Sequence, residues 1–379
     1  MKIFLVNSFL ALIFRTFPLF LFVLLTGCNT FLVNLESDHR VLPPVKLPLH
    51  IDWKYNARAG FGPDPPLIVG NNIIVSTRRG EVHVIAVDSG KRLARKNFGD
   101  AINGSVALID STLVIPLAQG RRMLLAYDVQ RGEMQWRIRG APIEVGITPL
   151  DDGGLFVTTD GMINRFMIAD GEIVWQYGLS PQQRVYARPI VHNHSVIIAV
   201  DNGEVIALSL SDGSLQWILD IGSPIYATPQ SNNELLIVST TQGRLVAVDI
   251  NERNIRWDIT FHDNTLRLST AAIDDKLIAI GGSDGILRVI ELETGEIQWE
   301  TQCPDALVAQ PIITDTVIYT ASMGHLFYAF DRQTGEELQA LELRGRVKSS
   351  IGVSDGGLIL LSEPRDVIKL STLHSEHEI

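Results

Sequence analysis

The chain has 379 residues, 46% of them hydrophobic and 20% charged, with a formal net charge of −11 and only two cysteines. This is long and apolar enough to bury a substantial core, which excludes a disordered chain and a disulfide-stapled miniprotein. Its acidic balance argues against nucleic acid as a partner.

The first element in chain order is a leader. Lys2 and Arg15 precede an apolar stretch from Phe17 to Leu25, and Leu25-Thr26-Gly27-Cys28 follows. A basic start, an apolar segment and small residues before a cleavage point form a secretory signal, expected over residues 1–27. The stretch from Pro18 to Gly27 is too short to span a bilayer, which takes about 20 residues. The Leu-Thr-Gly-Cys run resembles a bacterial lipobox. That resemblance implies cleavage before Cys28, diacylglycerol on its sulfur and membrane attachment through those acyl chains. Asn29 stands where lipoproteins kept at the inner membrane tend to carry Asp, so the resemblance implies an outer-membrane protein facing the periplasm. Loss of Lys2 and Arg15 takes the mature charge from −11 to −13, which argues against broad electrostatic contact with anionic lipid. Residues 28–49, with Pro43-Pro44 and Pro48, read as a lipid-anchored tether. About 20 residues reach at most roughly 66 Å.

From residue 50 onward the chain is periodic. Trp136, Trp175, Trp217, Trp257 and Trp299 are separated by 39, 42, 40 and 42 residues. Trp53 joins the series, and Ala94 and Gln339 fill the remaining slots, giving eight phased positions. A period of this length means a repeat architecture. Gly90, Gly132, Gly171, Gly213, Gly295 and Gly335 lie four residues before a slot and read as hairpin turns. Gly80, Gly161, Gly203, Gly243, Gly285 and Gly324 mark a second hairpin in each unit, with Gly120 slightly displaced by a longer loop. The runs between turns, such as Leu235–Ser239 and Arg244–Asp249, have strand length. An opening strand is expected to end in Pro, as in Val185–Pro189, Ile225–Pro229 and Leu307–Pro311.

Four antiparallel strands per 40 residues make a propeller blade. The expected fold of residues 50–379 is therefore all-β: an eight-bladed β-propeller of four-stranded antiparallel blades. The tail supplies three strands, around 347–353, 358–361 and 367–370, and the Trp53 strand completes that last blade. Pairing of N- and C-terminal strands then closes the ring. The recurring Trp is expected to pack between neighbouring blades, with its indole N–H on a local acceptor.

The chemistry-bearing residues are sparse. His192-Asn193-His194 supplies two possible ligands, too few for zinc without distant help, and reads as a polar turn. Asp128, Asp249 and Asp331 share a repeat position and read as turn caps. Gly60-Phe61-Gly62 precedes Pro63-Asp64-Pro65 and fits no dinucleotide fingerprint. No catalytic residue and no metal ligand is assigned.

The repeat around Ala126–Trp136 and Ala329–Gly335 resembles that of pyrroloquinoline-quinone enzymes, which implies a quinone-dependent dehydrogenase as one alternative. Those enzymes carry an adjacent Cys pair that Cys28 and Cys303 cannot supply. An envelope binding propeller of another system is a second alternative. The anchor, tether and eight-bladed ring together resemble the BamB family of lipoproteins of the outer-membrane β-barrel assembly machinery. That resemblance covers essentially the whole chain. It implies a non-enzymatic scaffold without cofactor, monomeric within its complex. Its partners would be the periplasmic POTRA domains of the central barrel-assembly protein and its companion lipoproteins. Arg184, five residues before Pro189, matches the family's partner-binding Arg. Pro181, Gln183, Pro224 and Tyr226 depart from the family pattern, so the expected partner-binding residues are Arg184, Tyr186 and Tyr226, within 179–188 and 221–228. One mechanism open to such a protein is pairing of an extended client strand with an outer blade edge.

Overall fold

The computed structural model describes residues 45–261 and 264–372. Cys28, the leader and most of the tether lie outside the described residues. The described chain forms eight four-stranded antiparallel sheets, each one blade. Blades 1 to 7 occupy residues 67–97, 107–139, 148–178, 190–220, 230–260, 272–302 and 312–342. Blade 8 takes three strands from 352–372 and its fourth, Leu49–Asn56, from the beginning of the ring.

Blade 4 illustrates why the sequence folds this way. Its strands are Ile190–His192, Ser195–Ala199, Glu204–Ser209 and Leu215–Asp220. The interiors of the two middle strands, 196–199 and 205–208, are apolar and buried, because neighbouring blades cover both their faces. The fourth strand alternates exposed and half-buried residues, as an outer strand with one wet face should. First strands of adjacent blades approach one another, so they form the inner wall of the ring. The hydrophobic core is divided into eight clusters, one for each interface between neighbouring blades.

Closure is as expected. Leu49–Asn56 pairs antiparallel with Asp366–Thr372, from Leu49 opposite Thr372 to Asn56 opposite Asp366. Two further contacts seal this seam. Gln339, which fills a Trp slot, accepts a hydrogen bond from Leu49 N at 2.8 Å and donates to Leu49 O at 2.6 Å. Its amide replaces an indole at the one blade whose last turn is interrupted. On the other side, the Tyr55 hydroxyl lies 2.7 Å from Nδ1 of His83 in blade 1, and His83 Nε2 lies 3.2 Å from Glu81. Burial holds the His83 pKa below its usual value, which favours the neutral ring.

The Trp residues pack between blades. Indole N–H groups of Trp53, Trp136, Trp175, Trp257 and Trp299 donate to Val87, Ile168, Leu210, Leu292 and Arg332 of the following blade at 2.7–3.0 Å. Each of these rings lies flat against the turn glycine of that blade, Gly90, Gly171, Gly213, Gly295 and Gly335 respectively. The glycine is needed twice: its φ is positive, and an added Cβ would fall 2.5–2.9 Å from the indole. In the blade after Trp217 the same turn position is Arg253, which takes φ 58° with a side chain.

Three local expectations need correction. The opening strands begin after the Pro rather than ending on it: Ile190–His192, Gln230–Ser231 and Ile312–Ile313. Pro cannot donate to a ladder, and the residues before it form the loop entering the blade. The first tail strand is Gly352–Ser354, while Val347 makes only an isolated bridge to Ser362. In the hairpin at Gly324 the positive φ falls on His325; Gly324 is required because a Cβ there would collide with the Asp305 carboxylate.

A further regularity is a β-bulge in the outer strand of every blade, skipping the residue just before the slot: 52, 93, 135, 174, 216, 256, 298 and 338. A bulge twists the strand and interrupts its ladder, which is how exposed edges are kept from pairing with other chains. The outer edges are thus poor templates for a continuous client strand.

Candidate functional site

Strand direction alternates within a blade, so the loops entering each blade share one face of the ring with the hairpins between second and third strands. The loops entering blades 4 and 5 carry the expected partner-binding residues on this face. Each loop is pinned from below. Asp201, in the second hairpin of blade 4, accepts Arg184 N at 2.8 Å and returns its own N–H to Arg184 O at 3.0 Å. Pro224 O accepts Thr241 N at 3.0 Å, which fixes the next loop in the same manner. Gln183 accepts from Ser180 N and donates to Glu204, so it shapes the loop rather than offering an apolar contact.

On this base the chain alternates. Ala187 and Ile225 are buried, and Tyr186 and Tyr226 are turned outward. The two tyrosines occupy equivalent positions in consecutive blades, and their rings meet at a centroid distance of 4.5 Å and an angle of 39°. They remain 48% and 46% exposed, a two-ring apolar platform with both hydroxyls available. Packing against each other fixes rings that would otherwise rotate freely, which lowers the entropy cost of docking.

Arg184 flanks this pair. Its guanidinium donates to Pro181 O and Gln183 O at 2.8 Å and forms no ion pair with another described residue. Beside it lies a depression of about 250 Å³, lined by Glu144, Val145, Thr158, Thr159, Val185 and Tyr186. The structure therefore brings Arg184, Tyr186 and Tyr226 together as one surface: a cation, two aromatic faces and a shallow recess with one carboxylate. Such a surface suits a protein partner, since Arg and Tyr are the residue types that carry interface energy.

A second depression, about 540 Å³, lies where the chain enters blade 6, between Phe261, Asp284, Arg288, Ile297 and Glu300. Here the Arg is committed. Arg288 is 5% exposed, lies over the Phe261 ring at 4.4 Å and pairs with Asp284 and Glu300 at 2.5 and 3.0 Å.

The remaining candidates are structural. Asp128, Asp249 and Asp331 each cap the turn that follows, accepting two backbone N–H groups at 2.8–3.0 Å. The Glu252 N–H holds the Asp249 carboxyl below the usual range, and the Thr334 N–H does the same for Asp331. His192 and His194 bracket a tight hairpin at Asn193, and His192 bonds the Asn193 amide at 3.0 Å. Among the described residues, no three His, Cys, Asp or Glu side chains gather within ligating reach. Cys303 lies in the core between blades 6 and 7, where burial pushes its thiol up to about 12.

Sequence reasoning singled out Arg184, Tyr186 and Tyr226 but did not foresee the contact between the two tyrosine rings. It depends on the spacing between blades, which the repeat does not encode.

Comparison with known proteins gives a consistent result. Residues 159–310 match the model of the outer membrane protein assembly factor BamB family. The chain is 25% identical over 274 residues to the assembly factor BamB of Moranella endobia, covering 68% of this chain and 69% of that one. It is 22% identical to that of Yersinia pestis, covering 91% of this chain and 74% of the relative. Among solved structures, BamB from Moraxella catarrhalis superposes with a TM-score of 0.72 at 20% identity, covering 86% of this chain and all of that one. The same ring geometry is found in the quinohemoprotein alcohol dehydrogenase of Comamonas testosteroni, with a TM-score of 0.69 at 11% identity over 85% of this chain and 76% of the enzyme.

Proposed function

We propose that this chain, BamB-like in sequence and in fold, is an outer membrane protein assembly factor that acts as a scaffold rather than as an enzyme. The likeness to the enzyme concerns the ring alone, and a ring hosts many functions. The scaffold reading is carried by one observation: the loops entering blades 4 and 5 present an exposed pair of tyrosine rings packed on each other beside an Arg free of carboxylate partners among the described residues.

The partner of this surface is the periplasmic POTRA region of the central barrel-assembly protein. Tyr186 and Tyr226 supply apolar area on a rigid platform, and Arg184 supplies donors for a carboxylate or backbone carbonyl of the partner. Binding is through loops on one face; the bulged outer edges take no part. Acyl chains on Cys28 hold the ring at the outer membrane, facing the periplasm, among companion lipoproteins.

Affinity for the isolated periplasmic region tests this reading. Arg184→Glu is expected to weaken binding by more than about 30-fold, the cost of losing an interface hot spot. Tyr186→Ala combined with Tyr226→Ala is expected to weaken it by about tenfold or more, with the melting temperature unchanged in both variants. Unchanged affinity in both variants removes this surface from the interface.

A further inference from the structure

The net charge of −11 conceals a strong segregation around the ring. Residues 78–139, in blades 1 and 2, hold eleven Lys and Arg against six Asp and Glu, a local charge of +5. Residues 284–342, in blades 6 and 7, hold two against eleven, a local charge of −9. The basic side chains lie at the circumference and on the adjoining margin of one face. Arg92 and Arg95 are on the outer strand of blade 1 and Arg137 and Arg139 on that of blade 2, while Arg78, Arg79 and Arg121 are in the hairpins between second and third strands, on the face next to that rim. Arg95, Arg122 and Arg131 pair with acids. Arg78, Arg79, Arg92, Arg121, Arg137 and Arg139 form no ion pair with any described residue, and all six are exposed. Leu93, the bulge residue between Arg92 and Arg95, is 54% exposed and is the most exposed large hydrophobic side chain among the described residues.

We infer that the outer rim of blades 1 and 2 is a contact surface for an anionic phospholipid membrane. Guanidinium groups pair with phosphate in bidentate fashion. An exposed Leu among them can enter the headgroup layer, as apolar residues do in interfacial segments. Each basic residue brought to such a surface raises partitioning about fivefold. The acidic blades do not cancel this, because salt screens charges beyond about 8–10 Å. The rim also lies near the chain's entry into the ring. Val45 O accepts the Tyr319 hydroxyl of blade 7, and only blade 8 separates that point from blade 1. This sets a local contact beside the expectation, drawn from net charge, of no broad electrostatic contact with anionic lipid; it does not depend on the Arg184 surface.

The test is energy transfer from the Trp residues of the full chain, Trp136 being next to Arg137, to a dansyl headgroup in vesicles. Vesicles of phosphatidylcholine alone are compared with vesicles containing about 30 mol% phosphatidylglycerol. Transfer is expected to rise on the anionic vesicles and to return to the neutral level in about 0.5 M NaCl. The combined replacements Arg92→Gln, Arg121→Gln, Arg137→Gln and Arg139→Gln are expected to abolish the rise. A Glu series at the same positions is expected to do the same, and near-ultraviolet circular dichroism checks that both sets fold. Equal transfer on both vesicles, or a rise that survives the Gln series, overturns the proposal. So does a Gln series that leaves transfer unchanged but loses co-purification of an envelope protein, since the rim would then serve an acidic protein instead.

Discussion

Gly335→Ala is expected to destabilise the ring by about 3 kcal/mol, a large effect for one methyl group. Gly335 has φ 72°, where an Ala is strained, and its Cβ would fall 2.5 Å from the Trp299 ring. The ring cannot step aside, because its N–H is tied to Arg332 O at 2.9 Å. Trp299→Ala alone is expected to cost about 3–5 kcal/mol through lost contacts and the cavity left between blades 6 and 7. The pair should not add: without the indole, Gly335→Ala retains only its backbone strain of about 1–2 kcal/mol. Denaturation midpoints of the two single variants and the double variant measure this coupling. Additive costs would show that the Trp–Gly contact is not what seals the interface. The turn facing Trp217 differs, since Arg253 carries a side chain there at φ 58°.

Removal of the closing strand is expected to have the largest effect of all. Leu49–Asn56 supplies the fourth strand of blade 8 and places Leu49, Ile51, Trp53 and Tyr55 in the cores on either side of it. A chain beginning at Ala57 leaves Asp366–Thr372 as an open edge beside two uncovered cores. Such an edge is a template for association. The shortened chain is expected to be aggregated on size exclusion, whereas one beginning at Val45 is expected to be monomeric. A monomeric chain from Ala57 with an unaltered melting temperature would mean that the seam contributes nothing to the ring. Gln339→Leu is the milder probe: it removes both hydrogen bonds to Leu49 and is expected to cost about 1–3 kcal/mol, with the ring still closed.

The global fold was legible because its signals are local and repeated. Trp spacing gave the period, turn glycines gave the hairpins, and the lone Trp53 strand implied closure. What the sequence did not disclose depends on one blade meeting another. The indole lies on a glycine about 35 residues ahead, and Gln339 meets the backbone of a residue 290 positions away. The bulges are invisible because outer strands alternate too weakly to mark one extra residue. In the loops entering blades 4 and 5, apolar residues next to Pro looked like strands, yet their alternation buries Ala187 and Ile225 so that Tyr186 and Tyr226 emerge. The charge segregation could be counted in the sequence, but only the ring places those residues on one rim and the adjoining face.

The role proposed for this ring is to serve outer-membrane assembly by holding other proteins. Its most direct test is affinity purification of the tagged full chain from detergent-solubilised envelope, with co-purifying proteins identified by mass spectrometry. The central barrel-assembly protein and its lipoprotein partners are expected to be recovered, and to be lost with Arg184→Glu. Recovery of none of them by well-folded protein, together with saturable binding of pyrroloquinoline quinone, would contradict it and make the chain a cofactor-binding propeller.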